Sequence, residues 1–267
     1  MEIARQAVKL RQKVLICAPS NVAVDNIVEK LSGSKKLKLV RLGHPARLMD
    51  SVLHHSLEYR LSHSDGSKIV ADIRKDIDAV YQRLRKAKGH RHERQAIRSE
   101  IKSLQKELRQ REEQALANIL LESNVVLCTL AGAGDRSIRG GRVSFDLVII
   151  DEAAQALEAA CWIPMRYAAS KVLLAGDPFQ LPPTVLSKKA QSQLQITLFE
   201  RLYKKYGDAI HRMLQVQYRM NKKIMQWSSD EFYSGNLKAH ESVAHHLLKE
   251  IEKFVRIKET IIVYLSI

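Results

Sequence analysis

The apolar positions of this chain fall into two kinds of pattern. In the first, short runs are apolar almost throughout: Val14 to Cys17, Leu37 to Leu42, Val125 to Thr129, Phe145 to Ile150 and Lys171 to Ala175. Runs of this length, rich in β-branched residues and bounded by turn residues, predict strands buried on both faces, as in a parallel sheet. In the second, apolar residues recur at helical spacing. Val24, Ile27, Val28 and Leu31 do so after the break Ala18-Pro19-Ser20-Asn21, and Gly33-Ser34 closes the segment. Ala153 to Trp162, with Pro164 helping to end it, and Phe199 to Tyr206 predict further helices. Ile210 to Leu214 reads as one more strand, and Gln217-Tyr218-Arg219-Met220-Asn221 opens another helix. Strands alternating with helices predict an α/β domain built on a parallel sheet.

From about Ser67 to Ser123 the pattern is helical only. Ile69, Ile73, Ile77 and Leu84 recur among many charges, Lys86-Ala87-Lys88-Gly89-His90 interrupts them, and Ile97, Ile101, Leu104 and Leu108 recur again. Two narrow apolar stripes around a break predict an antiparallel helical hairpin inserted into the sheet domain. The basic break reads as a solvated face, with contact to nucleic acid as the alternative. His90 and His92 flank Arg91 without acids or cysteines at ligand spacing, so no metal site is expected there.

Charge adds a partner class. Lys and Arg number 44 against 29 Asp and Glu, a formal net charge of +15. That balance points to a polyanionic partner and says nothing about fold. Cys17, Cys128 and Cys161 are isolated; the first two sit in apolar runs and read as buried thiols of a reducing compartment. No apolar run is long enough to span a membrane. Met1-Glu2-Ile3-Ala4-Arg5 lacks the pattern of a secretory signal and reads as part of an amphipathic helix. No membrane partner is expected.

The candidate chemistry lies where strands end. Phe145 to Ile150 runs straight into Asp151-Glu152, and open α/β sheets bind their ligands at the carboxyl ends of strands. In nucleotide hydrolases such a pair serves Mg²⁺: one Asp holds the metal with the phosphates, and a neighbouring acid orients the attacking water. The same pair also suits a helix start, as an N-cap Asp and a first-turn Glu. Ser20 and Asn21 can cap the following helix or donate hydrogen bonds to a phosphate chain. Ala131-Gly132-Ala133-Gly134 is either a plain strand exit or a loop where backbone approaches a ligand closely. Gly176-Asp177-Pro178-Phe179-Gln180-Leu181-Pro182-Pro183 follows another strand, and Gln180 there can sense a terminal phosphate or a bound water.

Four of these segments, in order, resemble the motifs of superfamily-1 helicases. Ala18 to Asn26 is similar to motif Ia, Asp151-Glu152-Ala153-Ala154 to motif II, Gly176 to Pro183 to motif III, and Gln217-Tyr218-Arg219-Met220 to motif IV. The runs Arg41-Leu42-Gly43-His44-Pro45-Ala46-Arg47, Ile69 to Asp78, Gln155-Ala156-Leu157-Glu158, Cys161-Trp162-Ile163-Pro164 and Ala239 to Leu248 resemble the Upf-like, immunoglobulin mu-binding protein 2 type. The resemblance implies a RecA-like P-loop NTPase sheet with the helical hairpin as an inserted stalk. It implies ATP with Mg²⁺ as cofactors, and 5′-to-3′ movement along single-stranded DNA or RNA by a monomer in the cytoplasm or nucleus. Residue by residue, it implies that Asp151 holds Mg²⁺, Glu152 activates water and Gln180 couples the γ-phosphate to the nucleic-acid site. Arg219 would stabilise charge on the transferring phosphoryl, Tyr218 would face adenine, and Asp177 would belong to the nucleotide site. Pro19, Ser20, Asn21, Thr129, Gly132 and Gly134 would face the nucleic-acid backbone, with no preference for sequence.

The family's phosphate-binding loop, G-x-x-x-x-G-K-S/T, does not occur, since no Gly in the sequence is followed by Lys. Motifs V and VI of the second motor domain are likewise not found. The expected organisation is therefore a motor-domain fragment: residues 1–66 and 124–250 forming the RecA-like part, 67–123 the stalk and 251–267 a divergent tail. The alternative function is a non-catalytic, single-strand-binding or interaction fragment.

Overall fold

The computed structural model describes residues 1–34, 36–64, 66–86, 91–135, 137–138 and 143–247. They fall into two compact units, Met1–Lys204 and the described residues from Lys205 onward. In the first unit, β1 (Val14–Ala18), β2 (Leu39–Arg41), β3 (Val125–Thr129), β4 (Phe145–Ile150) and β5 (Ala168–Leu174) make one sheet in the order β2-β3-β1-β4-β5. Every pairing is parallel. Around it run α1 (Glu2–Lys9), α2 (Asn21–Ser32), α3 (Leu57–Ser62), α4 (Gly66–Lys86), α5 (Arg91–Glu122), α6 (Glu158–Met165), α7 (Lys188–Leu194) and α8 (Leu198–Tyr206). The fold is the α/β, parallel-sheet class that the alternating pattern predicts.

Apolar residues fill the central strands because both faces of the sheet are covered. On one face, Leu15, Cys17, Val126, Cys128, Val148 and Ile150 pack with Ile119 and Leu120 of α5, Cys161 of α6 and Leu198 of α8. On the other, Val14, Ile16, Val125, Leu127, Leu147 and Ile149 pack with Ala4 and Ala7 of α1 and with Val24, Ile27, Val28 and Leu31 of α2. Side chains alternate between the faces with the two-residue period of a strand.

The pairing register fixes where the chemistry falls. Ala18 is level with Thr129, Cys17 with Ile150, and Ile150 with Leu174. The carboxyl ends of β1, β3, β4 and β5 therefore share one edge, so the segments after Ala18, Thr129, Ile150 and Leu174 all leave from it.

α4 and α5 pack on each other through Val80, Ile97 and Ile101, with Leu84 and Leu104 beside them. Arg74 bonds Glu112 at 2.6 Å and Arg83 bonds Glu100 at 3.2 Å, so rising numbers on one helix meet falling numbers on the other. The two helices are antiparallel. Ile69 is largely exposed, so the apolar stripe begins one turn later than its spacing suggests. The basic break at 87–90 and the chain from 248 onward lie outside the described residues.

Three elements differ from the pattern-based expectation. β5 is an edge strand whose middle is exposed, not a buried one, because only β4 pairs with it among the described residues. Ala153 to Trp162 is not one helix. Glu152 adopts a left-handed conformation (φ 52°), and the Ala153 amide donates to the Ala175 carbonyl at 2.8 Å. The backbone is thereby held as a 3₁₀ turn over Ala153–Gln155, and α6 starts only at Glu158. Ile210 to Leu214 is not a strand; Ile210 and Leu214 are exposed and no neighbouring strand pairs with the segment among the described residues. The second unit instead pairs β6 (Val216–Gln217) with β7 (Lys238–Ala239), in parallel, beside α9 (Lys222–Phe232) and α10 (Glu241–Ala244). The helix expected to open at Gln217 begins at Lys222, where Asn221 caps it by accepting from the Lys223 amide at 2.7 Å.

Candidate nucleotide and nucleic-acid edge

At the end of β4, the Asp151 amide donates to the Cys17 carbonyl at 2.8 Å, which locks the acid pair to the neighbouring strand. Glu152 follows in its left-handed conformation, uncommon for a residue with a Cβ. Its carboxylate accepts from Gln155 Nε2 at 3.0 Å. Burial raises the Glu152 carboxyl above the usual carboxylate range, and the charges of Asp151 and Asp177 raise it further. The acid pair is therefore not a helix N-cap and a first-turn acid; no α-helix begins there.

Asp177 comes from the neighbouring strand exit. Its two oxygens accept from the Phe179 amide at 3.1 Å and from Gln180 Nε2 at 2.9 Å. Asp177 thus fixes how Gln180 leaves the turn, while Gln180 itself stays exposed. The close approach of the two exits depends on Gly176. A Cβ at Gly176 would lie 2.7 Å from the Ala154 amide nitrogen and 3.0 Å from that of Ala153. These are backbone atoms, so they cannot swing aside. Gly176→Ala is expected to cost about 1–3 kcal/mol by overpacking, read as a lower urea midpoint.

Along the same edge, Ser20 caps α2, its Oγ accepting from the Ala23 amide at 3.1 Å. Thr129 Oγ1 accepts from the Gly132 amide at 3.1 Å, and a Cβ on Gly132 would come within 2.9 Å of it. This explains the glycine at position 132 of the Ala131–Gly134 turn. Pro19 is exposed within the β1–α2 turn, and Gly134 closes the β3 exit against Ile163. Asn21 Oδ1 accepts from Arg41 at 2.9 Å.

Arg41 is a group that the apolar pattern concealed. It is fully buried, and Nε donates to Asp25 Oδ1 at 2.8 Å; Asp25 is buried too and accepts from the Met49 amide at 2.9 Å. The Arg41 guanidinium also bonds the Leu42 carbonyl. Two signals were present: Arg41 interrupts the apolar run Leu39–Leu42, and Asp25 falls on the apolar face of α2 between Val24 and Val28. Opposite charges in two buried elements call for each other, because either alone would be costly.

Arg219 and Tyr218 belong to the second unit. Gln217 Oε1 accepts from the amides of Arg219 at 2.7 Å and Met220 at 2.9 Å, and its Nε2 donates to the Met220 carbonyl at 2.7 Å. One side chain therefore holds the turn that presents Arg219. Tyr218 is exposed and lies against His240, with ring centroids 4.4 Å apart. Sequence reading passed over both supports: Gln217 works through bonds to backbone, and His240 meets Tyr218 from a distant part of the chain.

Among the described residues, no three His, Cys, Asp or Glu side chains converge as a metal-binding set. Mg²⁺ bound with nucleotide takes one or two carboxylates and leaves its other positions to phosphate and water. Asp151, at an acidic strand end with Glu152 and Asp177 near it, is the residue that would serve as such a donor.

A parallel α/β sheet with paired acids at one strand end and a polar turn at the next is an open α/β domain with its polar groups at the edge where such sheets bind ligands. Comparison with known proteins narrows it. A family profile described as an AAA domain matches residues 1–188, and a second, also an AAA domain, matches residues 194–266. The DNA-binding protein SMUBP-2 of Rattus norvegicus is 51% identical over 97% of this chain. The DNA polymerase alpha-associated DNA helicase A of Schizosaccharomyces pombe is 45% identical over 94%. An uncharacterized ATP-dependent helicase of Methanocaldococcus jannaschii is 34% identical over 97%. The chain belongs to this AAA-domain family, in its superfamily-1, Upf-like helicase branch. It spans 26%, 37% and 43% of the lengths of those three relatives.

Proposed function

We propose that this chain supplies part of the first motor domain of an ATP-driven, 5′-to-3′ helicase acting on single-stranded DNA or RNA. The observation that carries the reading is the shared edge: Asp151, Glu152, Asp177 and Gln180 gather at two adjacent strand exits, while Ser20, Asn21 and Thr129 stand at the next two. Asp151 would hold Mg²⁺, which supplies charge neutralisation at the phosphates of ATP. Glu152, held by its contact with Gln155, would take a proton from the attacking water. Gln180, oriented by Asp177, would sense the γ-phosphate. Tyr218 would stack on adenine, and Arg219, a planar guanidinium on a braced turn, would face the phosphates. Pro19, Ser20, Asn21, Thr129, Gly132 and Gly134 would meet the backbone of the strand. In the same reading, residues 67–123 are an inserted stalk, and the protein works as a monomer in the cytoplasm or nucleus.

Strand binding is the property that the 267 residues carry by themselves. Contacts to phosphate release counterions, so affinity should fall as salt rises, with a log–log slope of about −0.7 per phosphate neutralised on a single strand. Fluorescence anisotropy with labelled dT and mixed-sequence oligonucleotides at several salt concentrations measures this. Equal affinity for both sequences and a steep slope are expected; salt-independent affinity would count against the reading.

A further inference from the structure

We infer that Arg41 is a positioning residue for nucleic-acid binding, one that sets which end of the Asn21 side chain faces the strand. The inference rests on the proposed role of Asn21 and adds how that role is enforced. A carboxamide has a donor end and an acceptor end, and the two are interchangeable by a half-turn. A guanidinium has donors only. The Asn21 group that meets Arg41 at 2.9 Å must therefore be its oxygen, and the NH₂ is the end left to face outward. An outward NH₂ is complementary to a phosphate oxygen, and an outward carbonyl would repel one.

Arg41 is able to impose this because it cannot move. Asp25 accepts from Nε at 2.8 Å, the Leu42 carbonyl accepts from the same guanidinium, and the side chain is fully shielded from water. Asp25 is in turn fixed by the Met49 amide at 2.9 Å. The planar fork reaches Asp25 and Asn21 together, through different nitrogens. A lysine offers one nitrogen on a flexible stem and does not reproduce that fork. The buried pair thus links the interior of β2 and α2 to the first residue of the helix at the binding edge. Its role toward the strand is indirect, since Arg41 itself is out of reach of any ligand.

The test measures the affinity of the 267-residue chain for a labelled dT oligonucleotide by anisotropy, with urea unfolding of each variant beside it. Asn21→Ala is expected to weaken binding about tenfold to a hundredfold, the loss of one hydrogen bond to a charged acceptor. Arg41→Lys should weaken it to a similar degree, and should add less than about twofold once Asn21→Ala is present, because contacts acting as one unit are not additive. If Arg41→Lys does not fold, the double variant Arg41→Met with Asp25→Leu removes the charges while keeping the space filled, and the same result is expected of it. A purely structural Arg41 would lower the urea midpoint and leave the affinity of the folded protein unchanged; that outcome, with Asn21→Ala still weakened, overturns the inference. Losses from Asn21→Ala and Arg41→Lys that multiply overturn it too. No effect of Asn21→Ala would instead remove the role proposed for Asn21 itself.

Discussion

Glu152→Gln should lower ATP turnover by about a hundredfold to ten-thousandfold, the usual contribution of a positioned general base. The variant is made in a polypeptide joining these residues to a phosphate-binding loop and a second motor domain. Glutamine keeps the shape of the side chain and its contact with Gln155, so nucleotide affinity should change little. Stability should not fall. A carboxyl whose folded pKa is raised contributes stability that is full below its unfolded pKa and lost as pH rises through the folded value. Above that value, the Glu152 charge works against the fold because it is partly buried and faces Asp151 and Asp177. Removing the charge relieves the repulsion. Turnover lost at equal or higher urea midpoint is the signature of a site strained for function. A variant that unfolds more easily would assign Glu152 a structural role.

Breaking the buried pair should have the largest effect on stability. Arg41→Ala leaves the Asp25 carboxylate in the interior with only the Met49 amide, and removes the partner of Asn21. Losing one side of a buried ion pair costs about 3–5 kcal/mol, mostly the penalty of the charge left behind. Replacing both partners by apolar residues of similar volume is often neutral, so Arg41→Met with Asp25→Leu should recover most of the loss. Urea unfolding of the two variants checks the contrast. Equal losses in the single and double variants would mean that packing, and not the stranded charge, sets the cost.

Much of the edge was legible in the sequence because the signals were local. An apolar run that stops at Asp151-Glu152 announces a strand end, and the turn residues from Gly176 to Pro183 announce another. That both exits share one edge was expected of a parallel sheet, but which strands are neighbours was not legible, since that depends on the pairing that sets Ile150 level with Leu174. Nor was the left-handed Glu152, which follows from the Ala153–Ala175 hydrogen bond and the missing Cβ of Gly176. Those contacts turned an expected helix into a 3₁₀ turn. Ile210 to Leu214 misled for the opposite reason: the composition is that of a strand, but a strand needs a hydrogen-bonded neighbour. Arg41 and Asp25 were hidden because periodicity assigns faces to apolar residues and is silent on charges that find each other inside. Gln217 was hidden because its bonds are to backbone, which no side-chain pattern records.

The motor reading is tested most directly by ATP hydrolysis measured with and without single-stranded nucleic acid. Two polypeptides are compared: the 267 residues alone, and the same residues joined to a phosphate-binding loop and a second motor domain. Phosphoryl transfer depends on positioning and on charge placed at the γ-phosphate. In the proposed reading Asp151 and Glu152 would supply a metal and a water position, but no G-x-x-x-x-G-K-S/T run supplies the cradle and its Lys. The shorter polypeptide should therefore hydrolyse ATP at background rate, and the longer one should hydrolyse it with stimulation by single strands. Robust, strand-stimulated hydrolysis by the 267 residues alone, abolished by Glu152→Gln, would contradict this division of labour. So would a longer polypeptide that stays inactive while binding both ATP and the strand.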